Sequence, residues 1–141
     1  MIYKKNRLTI DGVYIDFLAK KFNTPAYCYS AKKLRKNIIN FKKQFSKFNP
    51  LVCFAVKANP NINILREIKR LNLGADVVSA GELMMALKAG IEPKKIVFSG
   101  VGKTKSELEY AIDKKILLIN TESKSEILEI EKIAKTKKRV V

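Results

Sequence analysis

The residue best placed for chemistry is Lys57, which closes the apolar segment Leu51-Val-Cys-Phe-Ala-Val-Lys57. In an extended chain successive side chains alternate, so Leu51, Cys53, Ala55 and Lys57 share one face while Phe54 and Val56 take the other. A lysine on an inward strand face is costly unless it is paired or neutral. A neutral amine is the nucleophile that condenses with a carbonyl to form a Schiff base. The competing reading is a strand-end lysine that lays its methylenes on the protein and carries its charge to water. Asp76, 19 residues on, lies within another short apolar segment, Ala75 to Val78. By itself it is either a partner for a cation or a cap for the local backbone. Ser79-Ala-Gly-Glu82 has the spacing of a helix capping box, which accounts for Ser79 and Glu82 without any ligand. Gly100-Val-Gly-Lys-Thr104 ends like a phosphate-binding loop. The full motif needs a glycine where Val97 stands, so nucleotide hydrolysis is not expected there. The chain has no His, which removes His-based triads and His metal sites. Cys28 and Cys53 have no Cys-x-x-Cys partner and read as small core residues; no metal site is expected.

These residues sit in a regular frame. Leu51 to Ala58 is a near-continuous apolar run, as a buried parallel strand would be. Asn61 to Leu73 places Leu65, Ile68 and Leu71 on one helical stripe, with Gly74 as its stop. Ala75 to Val78 is a second strand, followed by a helix with Leu83, Ala86 and Leu87 inward and closed by Gly90 and Pro93. Lys95 to Ser99 is a third strand. Thr104-Lys-Ser-Glu107 is a capping box, opening a helix with Leu108, Ala111 and Ile112. Ile116 to Asn120 is a fourth strand. Ser123-Lys-Ser-Glu126 opens a last helix, with Ile127, Ile130 and Ala134 behind it. Arg139 to Val141 has the look of a fifth strand beginning. Strand ends at Lys57, Ser79, Gly100 and Asn120 give a repeat of roughly 20 residues, and such alternation implies parallel pairing with helical crossovers. Either a doubly wound sheet or half of a (β/α)8 barrel would satisfy it. The even repeats favour the half barrel, whose active sites lie at the C-terminal ends of the strands.

Before Leu51 the pattern changes. Leu8 to Ile15 reads as β structure turning at Asp11-Gly12, Ile15 to Phe22 as a short helix, and Thr24-Pro-Ala-Tyr-Cys-Tyr29 as another strand. Ser30 caps a helix with Leu34, Ile38, Phe41 and Phe45 on one face. The expected division is 1–29, strands of a separate β domain, and 30–141, about four βα units of a barrel.

Phe54-Ala-Val-Lys-Ala-Asn-Pro-Asn61 resembles the cofactor-lysine motif of the diaminopimelate decarboxylases, members of the alanine-racemase-like (fold-type III) pyridoxal-phosphate barrel enzymes. Thr24 to Ser30, Gly74-Ala-Asp-Val-Val-Ser-Ala-Gly-Glu-Leu83, Ala89-Gly-Ile and Ile96-Val-Phe-Ser-Gly-Val-Gly-Lys-Thr104 are similar to further family segments, in the same order. The resemblance implies that Lys57 is the catalytic residue and holds pyridoxal 5′-phosphate as a Schiff base. It implies that Asp76 lies beside the cofactor lysine and stabilises its ammonium form. Glu82 matches another acidic position of the relatives. The implied reaction is decarboxylation of meso-diaminopimelate to L-lysine, by a cytoplasmic enzyme that is a homodimer at full length. The family's phosphate-binding glycines and its substrate-binding Arg and Tyr would lie beyond Val141. The chain is therefore expected to be an N-terminal fragment, inactive alone. A sister enzyme acting on ornithine, arginine or carboxynorspermidine is the alternative within the fold.

Composition sets the outer limits. The 141 residues are 47% hydrophobic, enough for a core and too many for a disordered tail. No apolar run reaches the ~18 residues of a membrane span, and with no apolar stretch behind the charges of Met1 to Leu8 a secretory signal is not expected. The net charge of +16 would suit a nucleic-acid binder. The lysines are spread over every segment instead of gathered on one aromatic-lined face, so a solvated basic surface is expected and not nucleic-acid binding; a non-catalytic basic binding module is the alternative from a different class.

Overall fold

Two-residue turns decide the start of the chain. In the computed structural model, which describes residues 1–139, β1 (Ile2–Lys4), β2 (Arg7–Ile10) and β3 (Val13–Tyr14) form an antiparallel sheet in chain order. Lys5-Asn6 and Asp11-Gly12 make its turns, all four residues with positive φ, the twist that two-residue hairpins favour. Then come α1 (Ile15–Phe22) and α2 (Ala31–Gln44). Asp11 ties the second turn to α2: its carboxylate accepts from the Ser30 hydroxyl at 2.5 Å and the Lys32 N–H at 3.1 Å, while Ser30 Oγ caps the helix by accepting from the Lys33 N–H. The Ser30 bond, then that from Lys32, holds the Asp11 carboxyl below its usual range. These elements form one compact unit, Met1–Lys47. Three expectations change here. Residues 24–29 form no strand, because no ladder partner reaches them among the described residues. Cys28 is exposed, not a core residue. The α2 stripe is only partly covered, Leu34 and Ile38 half-buried and Phe41 and Phe45 exposed against each other with ring centroids 5.0 Å apart.

The second unit begins at Phe48. It holds β4 (Cys53–Ala55), α3 (Ile62–Arg70), β5 (Gly74–Val77), α4 (Ala80–Lys88), β6 (Ile96–Phe98), α5 (Lys105–Lys114), β7 (Leu118–Ile119) and α6 (Lys124–Lys137). The four strands are parallel and lie in chain order. A parallel sheet in sequential order carries its right-handed crossovers on one face, and burial agrees. Val56, Ala75, Val77, Ile96 and Phe98, which point one way, are all fully buried. Ala55, Asp76, Val97 and Leu118, in register on the other face, are half-buried or exposed. That asymmetry belongs to the wall of a barrel, not to a doubly wound sheet with helices on both sides.

The strands are shorter than the apolar runs that announce them. The run from Leu51 keeps strand geometry only over Cys53–Ala55 and then turns into a 3₁₀ helix at Val56–Ala58. The α3 helix stops with Asn72 at φ 57°, not with Gly74, because asparagine tolerates the left-handed conformation. Gly74 opens β5 instead. On α6 the buried residues are Ile130 and Ile133, which join Leu108 and Ile112 in a cluster, while Ile127 faces solvent. Arg139 lies in no strand, and Val140 and Val141 fall outside the described residues.

The helix starts follow their caps. Ser79, Thr104 and Ser123 each accept from the N–H of the glutamate three residues on. Only Thr104-Glu107 closes the reciprocal box. Glu82 and Glu126 reach one residue further back, to the N–H groups of Val78 and Glu122. Glu107 also accepts from the Ala80 N–H at 3.0 Å, linking the starts of α4 and α5.

Lys103 fastens the loop after β6. Its side chain is 1% exposed, and Nζ donates to the Gly100 carbonyl at 2.6 Å, the Asn120 carbonyl at 2.7 Å and Glu126 Oε1 at 2.7 Å. All three donors are used. Burial works against ionisation of Glu126, but the bonds from Lys103 and the Glu122 N–H outweigh it and hold its carboxyl below the usual range.

Four outcomes follow from this packing. A Cβ at Gly74 would lie 2.2 Å from the Lys95 carbonyl oxygen and 2.7 Å from Cys53 Sγ. Gly74→Ala is therefore expected to cost about 3 kcal/mol or more in denaturant unfolding. Gly102→Ala, with open space but φ +68°, should cost only about 1 kcal/mol. Lys103→Met leaves Glu126 buried without its cation, and a loss of about 3–5 kcal/mol is expected in the same measurement. Glu107 is held below 4.5, first by the Thr104 N–H and then by the Ala80 N–H. Its contribution is present above the unfolded carboxylate range and disappears as pH falls through the folded value. Stability followed by circular dichroism should drop below about pH 4.5 in the native chain and less steeply in Glu107→Gln.

Candidate active site at the strand ends

The ladder brings the C-terminal ends of four strands to one rim. Ala55 pairs with Asp76, Asp76 with Val97 and Val97 with Leu118. Two residues past three of these partners come Lys57, Ser99 and Asn120. The parallel register thus gathers Lys57, Asp76, Ser99 and Asn120 from positions spread over more than 60 residues of chain.

Lys57 lies in the 3₁₀ turn, where the two-residue alternation has already ended. The turn buries Val56 completely and leaves Lys57 exposed. The expectation of an inward strand lysine is corrected to that extent: the residue stands at the strand end on a turn. Its amine has no hydrogen-bond or ion-pair partner among the described residues.

Asp76 is half-buried in β5, one strand over. The Ser99 hydroxyl donates to its Oδ1 at 2.6 Å, and Asn120 Nδ2 donates to Ser99 Oγ at 2.9 Å. Cys53 shares this face. Burial pushes its thiol up, and the Asp76 charge adds to the effect, so it is not an activated nucleophile.

Other candidates go elsewhere. Ser79 and Glu82 serve backbone N–H groups at the start of α4. Lys103 is committed to protein acceptors, so the Gly100 to Thr104 loop has no free lysine for a phosphate. No cluster of three or more His, Cys, Asp or Glu able to hold a metal exists among the described residues, and no described helix is long and apolar enough to cross a membrane. Ser99 and Asn120 escaped the reading of the sequence. Their signal was positional: a polar residue at the end of each strand, 23 and then 21 residues apart.

An exposed primary amine on the turn after β4, with an anchored carboxylate on the neighbouring strand, suits an aldehyde cofactor held through nitrogen. The known proteins that this chain is similar to fit that chemistry. Residues 31–141 match the family model described as the pyridoxal-binding domain of pyridoxal-dependent decarboxylases. The diaminopimelate decarboxylase of Aquifex aeolicus is 43% identical over 132 residues, covering 94% of this chain and 31% of that protein. A crystal structure of the diaminopimelate decarboxylase of M. jannaschii superposes with a TM-score of 0.94 at 37% identity, over 97% of this chain and 33% of the other. The Helicobacter pylori enzyme complexed with L-lysine superposes with a TM-score of 0.79 at 42% identity, over 86% and 32%. The chain spans about a third of the length of the relatives it matches. The match over residues 31–141 makes this chain a member of the pyridoxal-dependent decarboxylases.

Proposed function

We propose that this chain provides the cofactor-lysine third of a diaminopimelate decarboxylase, a carboxy-lyase that converts meso-diaminopimelate to L-lysine. The observation that carries the reading is the unpartnered Lys57 amine on the turn that follows β4, two residues past Ala55, whose ladder partner is Asp76. The similarity to diaminopimelate decarboxylases supports the choice of substrate, as does the L-lysine bound in the Helicobacter pylori relative. Residues 1–29 would belong to a β domain and 30–141 to the barrel; the family match beginning at residue 31 supports that division. A cytoplasmic homodimer is the expected state of the whole enzyme.

The residues present fit pyridoxal 5′-phosphate: Lys57 would hold its aldehyde carbon through nitrogen, and Asp76 would face the same site. Bound there, the cofactor supplies an electron sink for the pair left when the substrate loses CO₂. With the cofactor bound, the Lys57 nitrogen would be its point of attachment, and when not so engaged the amine would carry a proton. Asp76, whose Oδ1 accepts from the Ser99 hydroxyl, would offer that amine a counter-charge. The rim position keeps both groups at the strand ends, where the substrate enters.

The test is borohydride trapping of pyridoxal 5′-phosphate on the purified chain, followed by peptide mapping. Label should concentrate on Lys57 and vanish from that peptide in Lys57→Ala. Label spread evenly over the surface lysines would overturn the reading. The 141-residue chain alone should form no L-lysine from diaminopimelate, and formation would refute its fragmentary role. CO₂ release from ornithine or arginine in preference to diaminopimelate, by the enzyme that contains it, would overturn the substrate.

A further inference from the structure

We infer that Ser99 and Asn120 are positioning residues that aim the carboxylate of Asp76, with the buried Lys103 amine as their anchor. This rests on the reading of Lys57 and Asp76 given above.

The direction of the chain of bonds is set by counting hydrogens. Asn120 Nδ2 donates to Ser99 Oγ at 2.9 Å. A hydroxyl has a single hydrogen, so once its oxygen accepts from the amide, that hydrogen goes to Asp76 Oδ1, 2.6 Å away. The bond ends on a charged acceptor, which makes it short and strong. Oδ1 is thereby engaged, which fixes the carboxylate and leaves Oδ2 as its second acceptor.

The network is not needed to satisfy the backbone. The Ser99 N–H already donates to the Val77 carbonyl at 2.8 Å and the Asn120 N–H to the Phe98 carbonyl at 2.9 Å, both as continuations of the ladder. Nor does it fill the core, since Asn120 is exposed and Ser99 and Asp76 are only half-buried. What it does is fix a carboxylate from three successive strands. Asn120 is a firm starting point because Lys103 Nζ grips its carbonyl at 2.7 Å. Through that grip, a residue at the start of α5 and a glutamate on α6 reach the rim without touching it.

The experiment compares the full chain with its Ser99→Ala, Asn120→Ala and Ser99→Thr variants. The χ1 rotamer of Asp76 is measured by NMR couplings, with thermal unfolding as a check on folding. In the native chain Asp76 should occupy one rotamer. In Ser99→Ala and Asn120→Ala the ratio of that rotamer to the alternatives should fall about tenfold, as expected for the loss of one charge-assisted hydrogen bond. Ser99→Thr keeps the hydroxyl and should preserve the single rotamer. Averaging in the two alanine variants at unchanged melting temperature supports positioning; a single Asp76 rotamer in both overturns it. The borohydride label on Lys57 is read in the same samples. Loss of selective labelling in the native chain would remove the cofactor reading, while the rotamer measurement would still decide whether Ser99 and Asn120 aim Asp76.

Discussion

Helices cover only one face of the parallel sheet, and the rest of this chain's chemistry follows from that constraint. Val56, Val77 and Phe98 are driven under the helices and lose all contact with water. Because side chains alternate, their neighbours must emerge on the opposite face. That face carries Asp76 and Ser99 among Ala55, Val97 and Leu118, all half-buried or exposed. The asymmetry lets a carboxylate sit in the middle of a sheet without crossing an apolar layer. It also explains why polar groups collect at the strand ends, where the ladder stops and backbone and side chains meet at one rim.

The rim is stiffened from behind. Glutamates at the helix starts do two jobs each: Glu107 closes its own cap and holds the Ala80 N–H, and Glu126 bonds both the Glu122 N–H and Lys103. These bonds join loops that the strands alone would leave independent. The buried ammonium of Lys103 replaces water at two strand-end carbonyls, which a neutral side chain of that length could not do with three donors.

Much of this was legible in the residues. The repeat of strand and helix, the three cap sites, and the apolar positions Leu65, Ile68, Leu83 and Leu108 follow from period and spacing alone. The limits were physical. A run of apolar residues marks burial but not extent, so the Leu51 run could not reveal that the chain turns at Val56, and the placement of Lys57 changed with it. Residues 24–29 have strand composition, yet a strand exists only with a partner, and partners are tertiary. In the sequence Lys103 reads only as the lysine of an incomplete phosphate-loop ending. Only the approach of the Gly100 and Asn120 carbonyls, set by the loop's path, makes it different. Ser99 and Asn120 needed the register of three strands before their side chains could be put in line.

The sequential order of β4, β5, β6 and β7 has a consequence for how such a chain comes into being. Each new strand docks on the one made just before it, and each helix packs against its predecessor. No segment has to wait for a distant partner before it can join the sheet, so the ordering cost of each addition is a short loop. The wall can grow in the direction of synthesis, one strand-helix unit at a time, with the most recent strand always offering its open edge as the template for the next.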